Sequence, residues 1–236
     1  KIYGNDSINI ASTYINLGVI LEEKGKYDEA LDYQYKAIRI YKESVGEDNL
    51  EMAAAYSNLG SIYKEQGKLK DALENYEKAL EIRSTILGKY HPKLAIIYNN
   101  IGLLEKRMGK LEAAIEHLNM ALKIKSQELG DQHLSLAATH ENLGIMLEEK
   151  GDFDKALIHF EHSLTIKKNY FGPLHHSLGS TYNNIGLVLD RKAKTAEAIE
   201  YYKQALDIMT AAYGENHPLV AGVLNNLAQD LTKEEK

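Results

Sequence analysis

Cysteine and tryptophan are absent from this 236-residue chain, and proline occurs only three times. Without cysteine there can be no disulfide, thiolate metal site or cysteine nucleophile, which favours a reducing, cytoplasmic setting. No apolar run approaches the roughly 18 residues of a membrane-spanning helix, and the polar start KIYGNDS is not a signal peptide. We therefore expect no membrane insertion.

A basic excess is also missing, since the formal net charge is −6. Proteins that bind nucleic acid through its phosphates usually carry the opposite balance, so we expect no nucleic-acid partner. The sequence contains no phosphate loop, nucleophile elbow or metalloprotease motif. It therefore predicts no enzyme and no cofactor.

What the chain does have is a repeat. The motif Asn-[Leu/Ile]-Gly recurs with its glycine at Gly18, Gly60, Gly102, Gly144 and Gly186, in steps of 42 residues. Two further glycine series follow the same period, one from Gly25 to Gly151 and one from Gly4 to Gly214. Alanines recur at Ala30, Ala72, Ala114, Ala156 and Ala198. Such regularity predicts an array of similar structural units.

Within each repeat the apolar residues are spaced by three, four and seven, which predicts two amphipathic helices of roughly 16 residues. Gly109 and its equivalents should end the first helix, and Gly88 and Gly214 the second, each in a left-handed conformation. Asn49 and Ser7 lie where the next helix should be capped, and histidine holds that place in later repeats. The expected repeats span approximately 7–46, 49–88, 91–130, 133–172 and 175–214, with a partial repeat at 217–236.

The second repeat, YSNLGSIYKEQGKLKDALENYEKALEI, resembles the tetratricopeptide repeat. The matching residues are Tyr56, Leu59, Gly60, Tyr63, Ala72, Tyr76 and Ala79. The period exceeds the usual length of about 34 residues, and this long form is similar to the repeats of kinesin light chain. The resemblance implies an all-α fold, a right-handed superhelix of about five and a half stacked helix pairs, formed as a single array that is a fragment of a longer chain.

An asparagine recurs on the first helix of every repeat, on the side away from its partner helix. The row, which we call the asparagine ladder, comprises Asn16, Asn58, Asn100, Asn142, Asn184 and Asn226. Apolar residues lie beside it, among them Leu103, Ile145 and Leu187, and Asn99 and Asn183 flank it. A carboxamide has two donors and an acceptor, which suits it to grip the backbone of an extended peptide. The resemblance implies the same role.

The leading hypothesis is therefore a cytoplasmic scaffold or adaptor that binds a short extended peptide of a partner protein in a concave groove. Lys64, Lys106, Arg107 and Arg191 lie at the groove edge and would favour an acidic ligand. The alternative is a structural or self-associating spacer, in which the asparagines bridge neighbouring helices and the edge charges are simply solvated.

Nine histidines raise the question of a metal site, yet His91, His133, His175 and His217 recur at one loop position and are expected to cap helices. His159 and His162 lack an evident third ligand and are expected at the surface. His140 replaces a tyrosine of other repeats and is expected to be a partly buried packing residue. Ala193 replaces a turn glycine and Gly179 an alanine, which predicts looser packing there.

Overall fold

The computed structural model describes residues 5–234, and within that range the chain forms α-helices and no strand. This confirms the all-α class. A short 3-10 helix, Pro92–Leu94, precedes the fifth α-helix. The α-helices are α1 (Asn5–Glu23), α2 (Tyr27–Val45), α3 (Leu50–Glu65), α4 (Leu69–Leu87), α5 (Ala95–Arg107), α6 (Leu111–Leu129), α7 (Ser135–Lys150), α8 (Phe153–Phe171), α9 (Ser177–Arg191), α10 (Thr195–Tyr213) and α11 (Pro218–Glu234).

The chain divides into two compact halves, residues 1–124 and residues 125–236. In the N-terminal half α1 packs on α2 and α3 on α4, and α2 and α4 also contact the first helix of the following repeat. In the C-terminal half α7 packs on α8, α9 on α10 and α10 on α11. The helices of the chain thus pack in adjacent pairs. None of the helices within residues 5–234 is long and apolar enough to cross a membrane.

The motif glycine of the first helix faces the second helix with no room for a Cβ. A Cβ placed on Gly60 would lie 2.7 Å from the Tyr76 ring, and one on Gly144 would lie 2.6 Å from the Phe160 ring. Gly186 meets the Tyr202 ring at the same 2.6 Å. The repeat therefore combines a glycine on the first helix with a large side chain opposite it.

The alanine series Ala30, Ala72, Ala114, Ala156 and Ala198 is completely buried. The expectation of looser packing at Gly179 is wrong. A Cβ there would lie 2.5 Å from Met209, so the missing side chain makes room for the long methionine and does not loosen the packing.

The two glycine turns of each repeat differ in geometry. Gly151 ends α7 with φ 85° and ψ 8°, the left-handed helical conformation that the sequence predicts. Gly88 and Gly214 also have positive φ, but their ψ values of 151° and 159° are extended. The prediction of a left-handed helical conformation is therefore wrong for the glycine that ends the second helix. The combination of positive φ and extended ψ found there is still one that only glycine adopts readily. Ala193 keeps a positive φ of 58° without being glycine.

Histidine proves to be a capping residue. Asn49 accepts a hydrogen bond from the Met52 amide at 2.8 Å, as predicted. His91 accepts one from Lys93, and His133 accepts one from the Ser135 amide, both at 3.2 Å. The prediction for Ser7 is wrong, because α1 already begins at Asn5 and Ser7 lies inside it.

Candidate functional site

The asparagine ladder lies on the first helices of both halves, on the side that remains partly open to solvent. In the N-terminal half Asn58 and Asn100 are half-buried, and Asn16 is exposed. In the C-terminal half all three members, on α7, α9 and α11, are half-buried. Partial burial leaves the carboxamides accessible while limiting the directions in which they can point. The motif's tyrosine and isoleucine, exemplified by Tyr98 and Ile101, are buried on the other side of the helix.

Most ladder carboxamides have no hydrogen-bond partner within residues 5–234. This holds for Asn16, Asn58, Asn100, Asn142 and Asn184. Each retains two donors and an acceptor for a group from outside the chain. No interaction in the described part of the chain therefore accounts for their recurrence.

The last member of the ladder differs from the others. Asn226 on α11 donates from Nδ2 to Oδ1 of Asn183 on α9, at 3.0 Å. This contact joins the first helices of neighbouring repeats, the structural role that the alternative hypothesis assigns to the whole ladder. The hydrogen bond uses the carboxamides of one flanking residue, Asn183, and one ladder residue, Asn226.

Apolar side chains accompany the ladder within each half. Leu103 lies three residues after Asn100, and Ile145 and Leu187 follow Asn142 and Asn184 at the same interval, so each lies on the same helix face as its asparagine. All three are half-buried. Asn99, beside Asn100, is also half-buried. Carboxamide and aliphatic side chains therefore alternate along this helix face.

The sequence analysis missed a buried polar cluster beside this surface. Lys167 of α8 is 8% exposed, and its Nζ donates to Glu141 Oε1 at 2.5 Å and to Thr181 Oγ1 at 3.1 Å. It also donates to the Ser177 carbonyl at 3.0 Å, and the Thr181 hydroxyl donates to Glu141. Glu141 lies in the flanking row, one residue before Asn142, so its carboxylate is engaged within the chain. We call Glu141, Lys167 and Thr181 the lysine cluster.

The charged residues at the edge are partly paired. Lys64 lies 3.0 Å from Glu65, and Arg191 lies 4.0 Å from Glu148. Lys106 is half-buried and Arg107 is exposed. Pairs of this kind weaken the attraction of Lys64 and Arg191 for an acidic ligand, and that role stays a prediction.

The histidines do not form a metal centre in the described part of the chain, where no three His, Cys, Asp or Glu residues are placed to hold an ion. His140 is buried, as expected, with 8% exposure. His159 is half-buried and contacts His140, so its expected surface position is wrong. The pattern on α8 alone could not reveal this, because His140 belongs to α7.

These features define an all-α repeat protein in which adjacent antiparallel helices pack through a glycine. Most of the asparagines on the outer face of its first helices have no hydrogen-bond partner in the described part of the chain. Sequence profiles described as tetratricopeptide repeat match residues 10–51, 51–127, 93–169, 135–211 and 177–236. The chain belongs to the tetratricopeptide repeat (TPR) family.

Solved structures of similar fold include BtubC (BKLC) from P. vanneervenii, with 25% identity, a TM-score of 0.76, and coverage of 90% of this chain and 84% of that one. A Podosopora anserina protein with nearly identical TPR-like repeats has 18% identity, a TM-score of 0.76, and coverage of 89% of this chain and 99% of that one. YrrB, a TPR protein with an unusual peptide-binding site, has 20% identity, a TM-score of 0.63, and coverage of 90% of each chain. No curated protein matches the chain.

Proposed function

We propose that the chain is a protein-interaction scaffold whose first helices bind an extended peptide of a partner protein. The observation that carries the proposal is the set of unengaged carboxamides at Asn142 and Asn184, each beside an aliphatic side chain. Proteins of the TPR fold act as interaction scaffolds and are generally not enzymes. The peptide-binding site of YrrB supports the proposal by analogy of fold.

The geometry of an extended chain fits this spacing. Neighbouring packed helices lie about 8–10 Å apart, and an extended peptide advances about 3.3 Å per residue. Successive ladder positions in one half would therefore meet the peptide backbone about every third residue. Backbone contacts of this kind select an extended conformation without selecting a sequence.

Selectivity would come from the aliphatic residues beside the ladder. Ile145 and Leu187 can accept apolar side chains that project between the backbone contacts. Each neutral hydrogen bond contributes about 0.5–1.5 kcal/mol, so a few such bonds with one or two apolar anchors suggest micromolar dissociation constants.

The test is selection of a displayed library of nine-residue peptides, followed by measurement of the dissociation constants of the enriched peptides. The double variant N142A/N184A should weaken binding about 5- to 100-fold, because two hydrogen-bonding groups are lost. The matched control N119A removes an exposed asparagine of α6, a second helix, and should leave the dissociation constants unchanged.

The melting temperature of N142A/N184A should not fall below that of the unaltered protein, because neither carboxamide has a partner in the described part of the chain and alanine has the higher helix propensity. Enriched peptides that bind the double variant as well as the parent would refute the proposal. So would loss of binding that coincides with unfolding.

The structural alternative has one observation in its favour, the hydrogen bond between Asn183 and Asn226. If it describes the whole protein, the library should yield no peptide, and analytical ultracentrifugation should show concentration-dependent self-association. A monomer that enriches peptides excludes it.

A further inference from the structure

Three histidines meet where α7 packs on α8: His140 is buried, His159 is half-buried, and His162 is exposed, as the sequence predicts. The Nδ1 atoms of His140 and His159 are 2.9 Å apart, within hydrogen-bond distance. The His162 ring stacks on the His140 ring with a centroid distance of 5.0 Å and an interplanar angle of 23°. We call these residues the histidine triad. His140, the member on α7, is almost completely buried.

Other repeats have different residues at the positions of His140 and His159. The residues at the positions of His140 and His159 are Tyr14 and Tyr33 in the first repeat, with ring centroids 5.4 Å apart. In the fifth repeat they are Tyr182 and Tyr201, 6.0 Å apart. Aromatic packing between the two helices therefore does not need imidazole. The third repeat has one imidazole at this contact, His117 beside Tyr98. The fourth repeat differs in that two imidazoles meet, both of which can take up protons near neutral pH.

The hydrogen bond within the triad depends on the charge state. One Nδ1 must donate and the other must accept, so at least one of His140 and His159 must be neutral. If both rings are protonated, both Nδ1 atoms become donors and two positive charges lie in contact. His162, once charged, adds a third cation beside His140.

The surrounding groups offer little compensation. Asp131, in the loop before α7, is the acidic group that favours protonation of His140, and it already accepts a hydrogen bond from Ser126. Glu141 on α7 is engaged by Lys167 and Thr181. The other charged groups are engaged elsewhere: Lys168 of α8 lies over the Tyr182 ring, and on α9 Asp190 pairs with Lys233 and Arg191 with Glu148.

We propose that the histidine triad makes the α7–α8 pair acid-labile, because proton uptake breaks the His140–His159 hydrogen bond and forces like charges together. The device is independent of the proposed peptide binding. It would nevertheless act on the same helix, since Asn142 lies two residues after His140.

The direction of the pH dependence follows from the pKa values. Burial, together with the nearby His159 and His162, lowers the pKa of His140 to about 4. Burial also lowers the pKa of His159. The unfolded chain binds protons near pH 6.5 and the folded chain does not, so the contribution to stability is complete above pH 6.5 and is lost as the pH falls towards 4.

The experiment compares urea unfolding at pH 7.5 and pH 5.0 for the parent and for H140Y/H159Y, which reproduces the tyrosine pair of the fifth repeat. From the His140 shift, the unfolding equilibrium constant of the parent should rise about 30-fold more than that of the variant. Amide exchange at pH 5.0 should show α7 and α8 losing protection before α9 and α10. The control H133N replaces an exposed capping histidine and should follow the parent.

A second measurement does not depend on the folding of the double variant. NMR titration of the parent should give His140 a midpoint well below the ordinary histidine value of about 6.5, and H162Q should raise it, because a neighbouring cation is removed. Gln204 occupies the position of His162 in the fifth repeat. An equal pH effect on parent and H140Y/H159Y, or a His140 midpoint near 6.5, would overturn the proposal.

Discussion

At the scale of single residues, the repeat depends on glycine for two different physical reasons. At the turns, glycine provides positive φ: Gly25, Gly67, Gly109 and Gly151 all have φ between 72° and 85°. Within the first helices, glycine provides space for a large side chain on the second helix. The sequence predicts the turn role from the places where the helices should end, but only the structure shows that the motif glycine leaves room for the opposite side chain. That distinction determines how substitutions at each position should behave.

Ala193 is the exception at the turns. It keeps φ at 58°, where a Cβ is strained, with a cost of about 1–2 kcal/mol. A193G should relieve the strain. Glycine also gives the unfolded chain more conformational freedom than alanine, so we expect the free energy of unfolding to rise by only about 0.5–1 kcal/mol. The melting temperature should rise by about 2 °C. The control A138G, at an exposed position inside α7, should lower stability by about 0.5–1 kcal/mol.

Gly144 and Gly222 form a matched pair for the second role of glycine. A Cβ on Gly144 would clash with the Phe160 ring at 2.6 Å, whereas a Cβ on Gly222 would meet nothing within 4 Å. We expect G144A to destabilise by about 1–3 kcal/mol and G222A to stabilise by about 0.5–1 kcal/mol in urea unfolding. Equal effects of the two substitutions would show that helix propensity alone governs both positions.

At the scale of elements, the helices and their pairing follow from periodicity, because apolar residues at intervals of three and four must face another helix. Asn49 and the turn glycines set most ends correctly. The start of α1 escaped prediction, since Asn5 and Asp6 extend the helix beyond Ser7. The exposure of the ladder could be predicted from helix geometry, but the lysine cluster could not, because Glu141, Lys167 and Thr181 come from three different helices.

The lysine cluster links α7, α8 and α9, and its charges stabilise only as a pair. The fifth repeat has Asn183 and Met209 at the positions of Glu141 and Lys167. K167M should destabilise by about 2–4 kcal/mol, because Glu141 is left without its cation beside a newly apolar side chain. E141N/K167M should recover at least half of that loss, because the two residues then match the uncharged pair found in the fifth repeat.

The double-mutant cycle, measured by urea unfolding, separates the pair from its environment. E141N alone completes the cycle and should also destabilise, since it leaves Lys167 buried without a carboxylate. If the three variants lose stability additively, the pair is not coupled and the cluster is not a structural unit.

At the scale of the whole molecule, the contacts described within each half join each helix to its sequence neighbours or to the corresponding helix of the next repeat. Stability in such a chain is close to a sum of repeat and neighbour contributions, so damage in one repeat should have a local effect. Gly60 and Gly186 allow a direct comparison, because each accepts a tyrosine ring and the two lie in different halves.

We expect G60A to reduce amide protection in α3 and α4 while leaving α9 and α10 close to their original protection, and G186A to do the reverse. The two clashes are similar, with closest distances of 2.7 Å and 2.6 Å, so each variant serves as the control for the other. Hydrogen exchange followed by mass spectrometry resolves the helices separately. If either substitution lowers protection equally in α3–α4 and α9–α10, the chain unfolds as one cooperative body, and its stability cannot be divided among neighbouring repeats.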